Sequence, residues 1–114
     1  MVLIGGNDEK EIFTKLKYTS VVFDLIGKTN YSDLASLSAG ASLIIGNDTG
    51  PMHLLVVCSN KKAKKIVLFG QASDPNLCAP RGDNVIIIRK NNINDISPKK
   101  VITLINKNNY SKLT

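Results

Sequence analysis

Apolar residues in this chain fall in short continuous runs separated by polar turns. Val2-Leu3-Ile4 ends at Gly5-Gly6, and Val21-Val22-Phe23-Asp24-Leu25-Ile26-Gly27 forms a second run. Leu43-Ile44-Ile45, Lys65-Ile66-Val67-Leu68-Phe69-Gly70 and Val85 to Ile88 follow. Each has strand length, and none shows the apolar/polar alternation of a half-exposed strand. The intervening segments read as helices. The first starts at Asn7 or Asp8 and runs to about Lys17, with Ile12, Phe13 and Leu16 on one face. The second runs from Asn30 through Leu34, Leu37 and Ala41; Asn30 and Asp33 have capping-box spacing and Gly40 stands near its end. The last starts at Ser97-Pro98 and carries a stripe of Val101, Ile102, Leu104 and Ile105. Strands without a polar face, alternating with helices, predict a parallel sheet covered on both sides. The fold class is α/β, doubly wound.

The densest signal lies between Ser42 and Ser59, SLIIGNDTGPMHLLVVCS. A buried strand meets a polar turn, and the apolar stretch Leu54 to Cys58 then predicts a core helix with no solvent face. Asp48 or Thr49 can cap that helix, Gly50 permits close backbone approach, and Pro51 suits the first turn. In doubly wound sheets, ligands bind beyond the carboxyl ends of the strands. Two readings of Asp48 to His53 therefore stand. One is a capped helix start, with His53 as a satisfied polar residue. The other is an anion cradle built from Thr49 and the backbone N–H groups around Gly50 and Met52, with Asp48 accepting from sugar hydroxyls and His53 near the anion. Neither a dinucleotide fingerprint nor a P-loop motif is present.

Length and composition narrow this further. The chain has 114 residues, 43% of them apolar and 5% aromatic, so it suits one domain with an aliphatic core. Net charge is +6, concentrated only at Lys61-Lys62-Ala63-Lys64-Lys65, which reads as a solvated connection. Without aromatic interleaving or a recognition motif, that run predicts no nucleic-acid partner. Cys58 and Cys78 stand singly and the chain has one histidine, so neither a disulfide, a metal site nor a cofactor is expected. No run reaches the roughly eighteen apolar residues of a membrane span, and the amino terminus has no signal-peptide pattern, which points to a cytoplasmic protein.

The residues Ser32-Asp33-Leu34-Ala35-Ser36-Leu37 and Gly46-Asn47-Asp48-Thr49-Gly50-Pro51-Met52-His53-Leu54 resemble the carboxyl-terminal domain of bacterial heptosyltransferases, glycosyltransferase family 9. Leu68-Phe69-Gly70, Asp74-Pro75 and Ala79-Pro80 extend the likeness, which covers about Val2 to Ile105. It implies a Rossmann-like domain of a GT-B enzyme that takes heptose from ADP-heptose to the lipopolysaccharide core. By position, Asp48 would face heptose hydroxyls, Thr49 and Gly50 the diphosphate, with Pro51, Met52 and His53 completing the turn. Glu9 would approach the nucleoside ribose, although beside Asp8 and Glu11 it also reads as a solvated helix start. Phe69-Gly70 and the loop through Pro80 would border the cleft.

The resemblance also carries expectations about what stands outside these residues. The acceptor site and catalytic base belong to an amino-terminal domain, so acceptor binding would require that domain, present here only if a separate chain supplies it. The family's carboxyl-terminal domain opens with a further strand and helix, and that strand lies between those matching Val2–Gly5 and Leu43–Ile45. Residues 1–105 would then be a partial nucleotide-sugar domain with an open strand edge, and 106–114 a frayed tail. The alternatives are a non-catalytic nucleotide-binding module or a split-gene remnant.

Overall fold

The computed structural model describes residues 1–9, 22–71 and 82–106. It divides into two compact units, Met1–Asp33 and Leu34–Thr114.

In the first unit, strand β1 (Val2–Leu3) pairs in parallel with β2 (Phe23–Asp24). The Leu25 and Gly27 N–H groups prolong the ladder by donating to the carbonyls of Leu3 (3.0 Å) and Gly5 (2.7 Å). Asn7–Glu9 is a single 3-10 turn, and residues 10–17 of the predicted helix lie outside the described residues. At the end of this unit, helix α1 (Tyr31–Gly40) begins. The Asn30 N–H donates to Asp33 Oδ2, and the Asp33 N–H donates to Asn30 Oδ1, each at 2.9 Å. The expected capping box therefore forms, with amide and carboxylate in place of the commoner hydroxyl and glutamate.

The second unit holds a parallel sheet of order β3-β4-β5: Leu43–Asn47, Lys64–Phe69 and Val85–Arg89. Helix α2 (Gly50–Cys58) connects β3 to β4, and α3 (Pro98–Asn106) follows β5. Ile44 aligns with Lys65, Gly46 with Val67, and Phe69 with Arg89. Residues aligned in a parallel ladder share a face, and successive residues alternate faces. One face thus carries Leu43, Ile66, Leu68, Ile86 and Ile88. These pack with Ile93 and Ile96 and with Val101, Leu104 and Ile105 of α3. The other face carries Ile44, Gly46, Val67 and Phe69, and α2 lies against it, since Met52 touches Gly46. Covering on both sides makes this a doubly wound α/β sheet, as the continuous apolar runs predict. The Ser38 hydroxyl of α1 is buried and donates to the Leu55 carbonyl, tying α1 to α2.

Several expectations change. The run at Lys61–Lys65 is not wholly a solvated connection, because Lys64 and Lys65 open β4. Lys65 is 1% exposed, and its ammonium donates to the Asp83 carbonyl at 2.7 Å. Loss of hydration pushes its pKa down, partly opposed by the Asp83 charge. Lys64 reaches toward the other face and donates to the Ile105 carbonyl at 3.0 Å, in the last turn of α3. There a cation meets the negative end of the helix.

Helix α2 also has a solvent side after all, with Val57 77% exposed. The sheet covers one side of it and α1 adds Ser38 at Leu55, which leaves Val57 outside these contacts. In α3, Ile102 is exposed and falls outside the packed stripe, because Val101, Leu104 and Ile105 already occupy one helical face at spacings of three and four. Ser97 caps α3 as expected, its hydroxyl accepting the Lys100 N–H at 3.2 Å. A 3-10 turn at Ile93–Asp95 was not signalled by periodicity; it is capped by the Asn92 side chain.

Candidate functional site

Strand β3 runs two residues past its predicted apolar core, to Asn47. The next residue still belongs to the ladder, since the Asp48 N–H donates to the Leu68 carbonyl at 3.1 Å. The chain then turns within one residue into α2. Of the two candidate caps the structure uses Thr49. It is extended (φ −141°, ψ 163°), its hydroxyl accepts the Met52 N–H at 3.3 Å, and its carbonyl accepts the His53 N–H at 3.1 Å. Thr49 is thus the N-cap, Gly50 to Met52 are the first three helical residues, and His53 is the fourth.

The cap decides which backbone donors remain. Met52 has given its N–H to Thr49 and Pro51 has none to give. The Met52 N–H is therefore not an open part of the cradle, contrary to the sequence expectation. Gly50 keeps an N–H with no intramolecular acceptor among the described residues. The Met52 side chain faces inward, fully buried. Its sulfur lies 2.9 Å from where a Cβ on Gly46 would stand. A close approach within the fold is thus found at Gly46, where a side chain would displace Met52. At Gly50 itself an added Cβ meets nothing within 4 Å.

Asp48 and His53 meet across the cap, with His53 Nε2 3.1 Å from Asp48 Oδ1. The Asp48 side chain is 13% exposed and that of His53 42%. Sequence reading places Asp48 at sugar hydroxyls and His53 near the anion but does not pair them. They are five residues apart, a separation that faces neither of them to the other within a regular helix.

Asp48 to His53 thus form one continuous turn at the carboxyl end of β3. Glu9 belongs to the first unit, where its carboxylate accepts the Gly6 N–H at 2.8 Å and stands at the exposed surface. Phe69 does not present its side chain as a cleft border. It is fully buried, because it falls on the sheet face that α2 covers. The loop from Ala72 to Arg81, with its Asp74-Pro75 and Ala79-Pro80 signals, lies outside the described residues.

A family model described as glycosyltransferase family 9 (heptosyltransferase) matches residues 1–108. The chain belongs to glycosyltransferase family 9. Nothing among curated proteins or solved structures matched it. Glycosyltransferase family 9 membership brings with it, in general terms, a nucleotide-sugar donor and an acceptor. Among the described residues no helix is long and apolar enough to cross a membrane.

Proposed function

We propose that this family 9 chain is the donor-binding portion of a heptosyltransferase, and that Asp48 to His53 hold ADP-heptose. The observation carrying this reading is the pair of groups left open at the start of α2. Asp48 Oδ2 has no intramolecular partner among the described residues, and neither has the Gly50 N–H. The first suits a sugar hydroxyl. The second, at the positive end of a helix, suits a phosphate oxygen. Gly50 adds a steric argument. The fold has room for a side chain there and its φ is not positive, so no packing or backbone need explains a glycine. A ligand's close approach does.

In the complete reaction the turn would steady the diphosphate as it leaves. The acceptor hydroxyl of the lipopolysaccharide core, and the base that deprotonates it, would come from another domain. Such an enzyme would act in the cytoplasm, against the inner face of the membrane. Glu9 is proposed as the contact to the nucleoside ribose.

Calorimetry with ADP and ADP-heptose tests the site. Asp48→Ala is expected to weaken ADP-heptose by roughly ten- to a hundredfold, the range for losing hydrogen bonds to a charged group, and to affect ADP much less. Gly50→Ala should weaken both ligands while leaving thermal stability unchanged or slightly raised, since alanine is the better helix former. Equal affinities in Asp48→Ala and the parent chain would remove Asp48 from the donor site.

A further inference from the structure

Thr49 being the cap of α2, Asp48 and His53 stand at the positions flanking it where two apolar side chains often meet and fix the angle at which a chain enters its helix. Here a carboxylate and an imidazole take those places, 3.1 Å apart. A carboxylate accepts and does not donate, so the hydrogen lies on His53 Nε2. His53 Nε2 is therefore committed to Asp48.

What this bond prevents is as informative as what it makes. An Asp or Asn side chain tends to bond the backbone N–H two residues on. This chain does so at Asp24, whose Oδ1 accepts the Ile26 N–H at 3.0 Å. It does so again at Asn60 to Lys62 (2.9 Å) and at Asn92 to Asn94 (3.0 Å). For Asp48 the corresponding donor is Gly50, the one that stays open. Had Asp48 followed the local rule, one of its oxygens would have consumed the open N–H.

We propose that His53 is a positioning residue which holds the Asp48 carboxylate off the Gly50 N–H, keeping that N–H available to a nucleotide sugar. The ligand assignment rests on the donor-site reading above; the pairing itself does not. His53 acts here through Asp48 and makes no bond to the ligand.

Two measurements on the full chain test this. The first needs no ligand. His53 is the sole histidine, so its ring nitrogens give unique NMR signals. They are expected to show hydrogen on Nε2 in the parent chain and to shift in Asp48→Ala, where that hydrogen loses its acceptor. In His53→Ala the Gly50 amide signal should move downfield as Asp48 turns onto it. The shift should vanish in the double variant, and His53→Gln, which keeps a side-chain N–H, should restore the parent position. Ring signals indifferent to Asp48→Ala, or a Gly50 amide indifferent to His53→Ala, overturn the proposal.

The second is titration with ADP. His53→Ala is expected to weaken ADP by roughly tenfold, the effect of blocking one charge-assisted hydrogen bond, and adding Asp48→Ala should restore most of it. A loss that Asp48→Ala does not restore would mean that His53 touches the diphosphate itself, which also overturns the proposal. If the parent chain bound neither ADP nor ADP-heptose, the donor reading would fail, and the ring and amide signals alone would decide the positioning role.

Discussion

Phe69→Ala is expected to lower the free energy of unfolding by about 3–5 kcal/mol, the range for deleting a buried aromatic ring. Phe69 is 0% exposed at the carboxyl end of β4, the central strand of the three-stranded sheet. It shares its face with Val67, also fully buried, and with Gly46, where Met52 of α2 packs. Removing the ring takes apolar area from the core and leaves a cavity that a strand paired on both edges cannot collapse to fill. Small domains commonly have only about 5–15 kcal/mol of stability, so the loss is a large share of the total. Urea unfolding followed by circular dichroism measures it. A change below about 1 kcal/mol would show that the ring is not in the core.

Met52→Ala is expected to cost about 2–5 kcal/mol and to loosen the start of α2. Met52 is fully buried, and its sulfur fills the space that Gly46 leaves on β3. The residue thus links packing to site: it seats the first turn of the helix while its N–H serves the Thr49 cap. Met52→Leu, which conserves volume, should cost less than about 1.5 kcal/mol. Gly46→Ala alone should destabilise, because its methyl group would press on the Met52 sulfur. Combined with Met52→Ala the same methyl group would enter the vacated space, so the double variant should be more stable than the sum of the single losses predicts. Strict additivity would mean that Gly46 and Met52 do not share that space.

The sequence makes some of this legible and hides the rest for identifiable reasons. β4 and β5 appear directly in the runs Ile66–Phe69 and Val85–Ile88, because a strand covered on both faces needs apolar residues at every position. The turn Asp48–His53 stands out as polar residues between two apolar segments, and its residue order carries the family. Its internal geometry does not stand out. Asp48 and Thr49 are both good caps, so composition could not choose between them, and only the fold shows that Thr49 takes the role and frees Asp48 for His53. Lys65 reads as solvated because its charge does. Its apolar stem lies in the sheet while the ammonium reaches the Asp83 carbonyl, an arrangement that no local pattern announces. An all-apolar segment such as Leu54–Cys58 has no periodicity from which to identify its outer side, so Val57 could not be singled out.

Among the described residues β3 pairs in its own unit on one side, with β4, which gives it two classes of amide. The Asp48 N–H bonds the Leu68 carbonyl, and the register places the N–H groups of Ile44 and Gly46 toward β4 in the same way. Leu43, Ile45 and Asn47 point theirs to the opposite side, where no described strand lies. Hydrogen–deuterium exchange should therefore read this strand as a comb, with slow amides at Ile44 and Gly46 and fast ones at Ile45 and Asn47. Protection at Ile45 equal to that at Ile44 would reveal a strand lying along that edge, so one amide serves as a gauge of whether the sheet stands alone in solution.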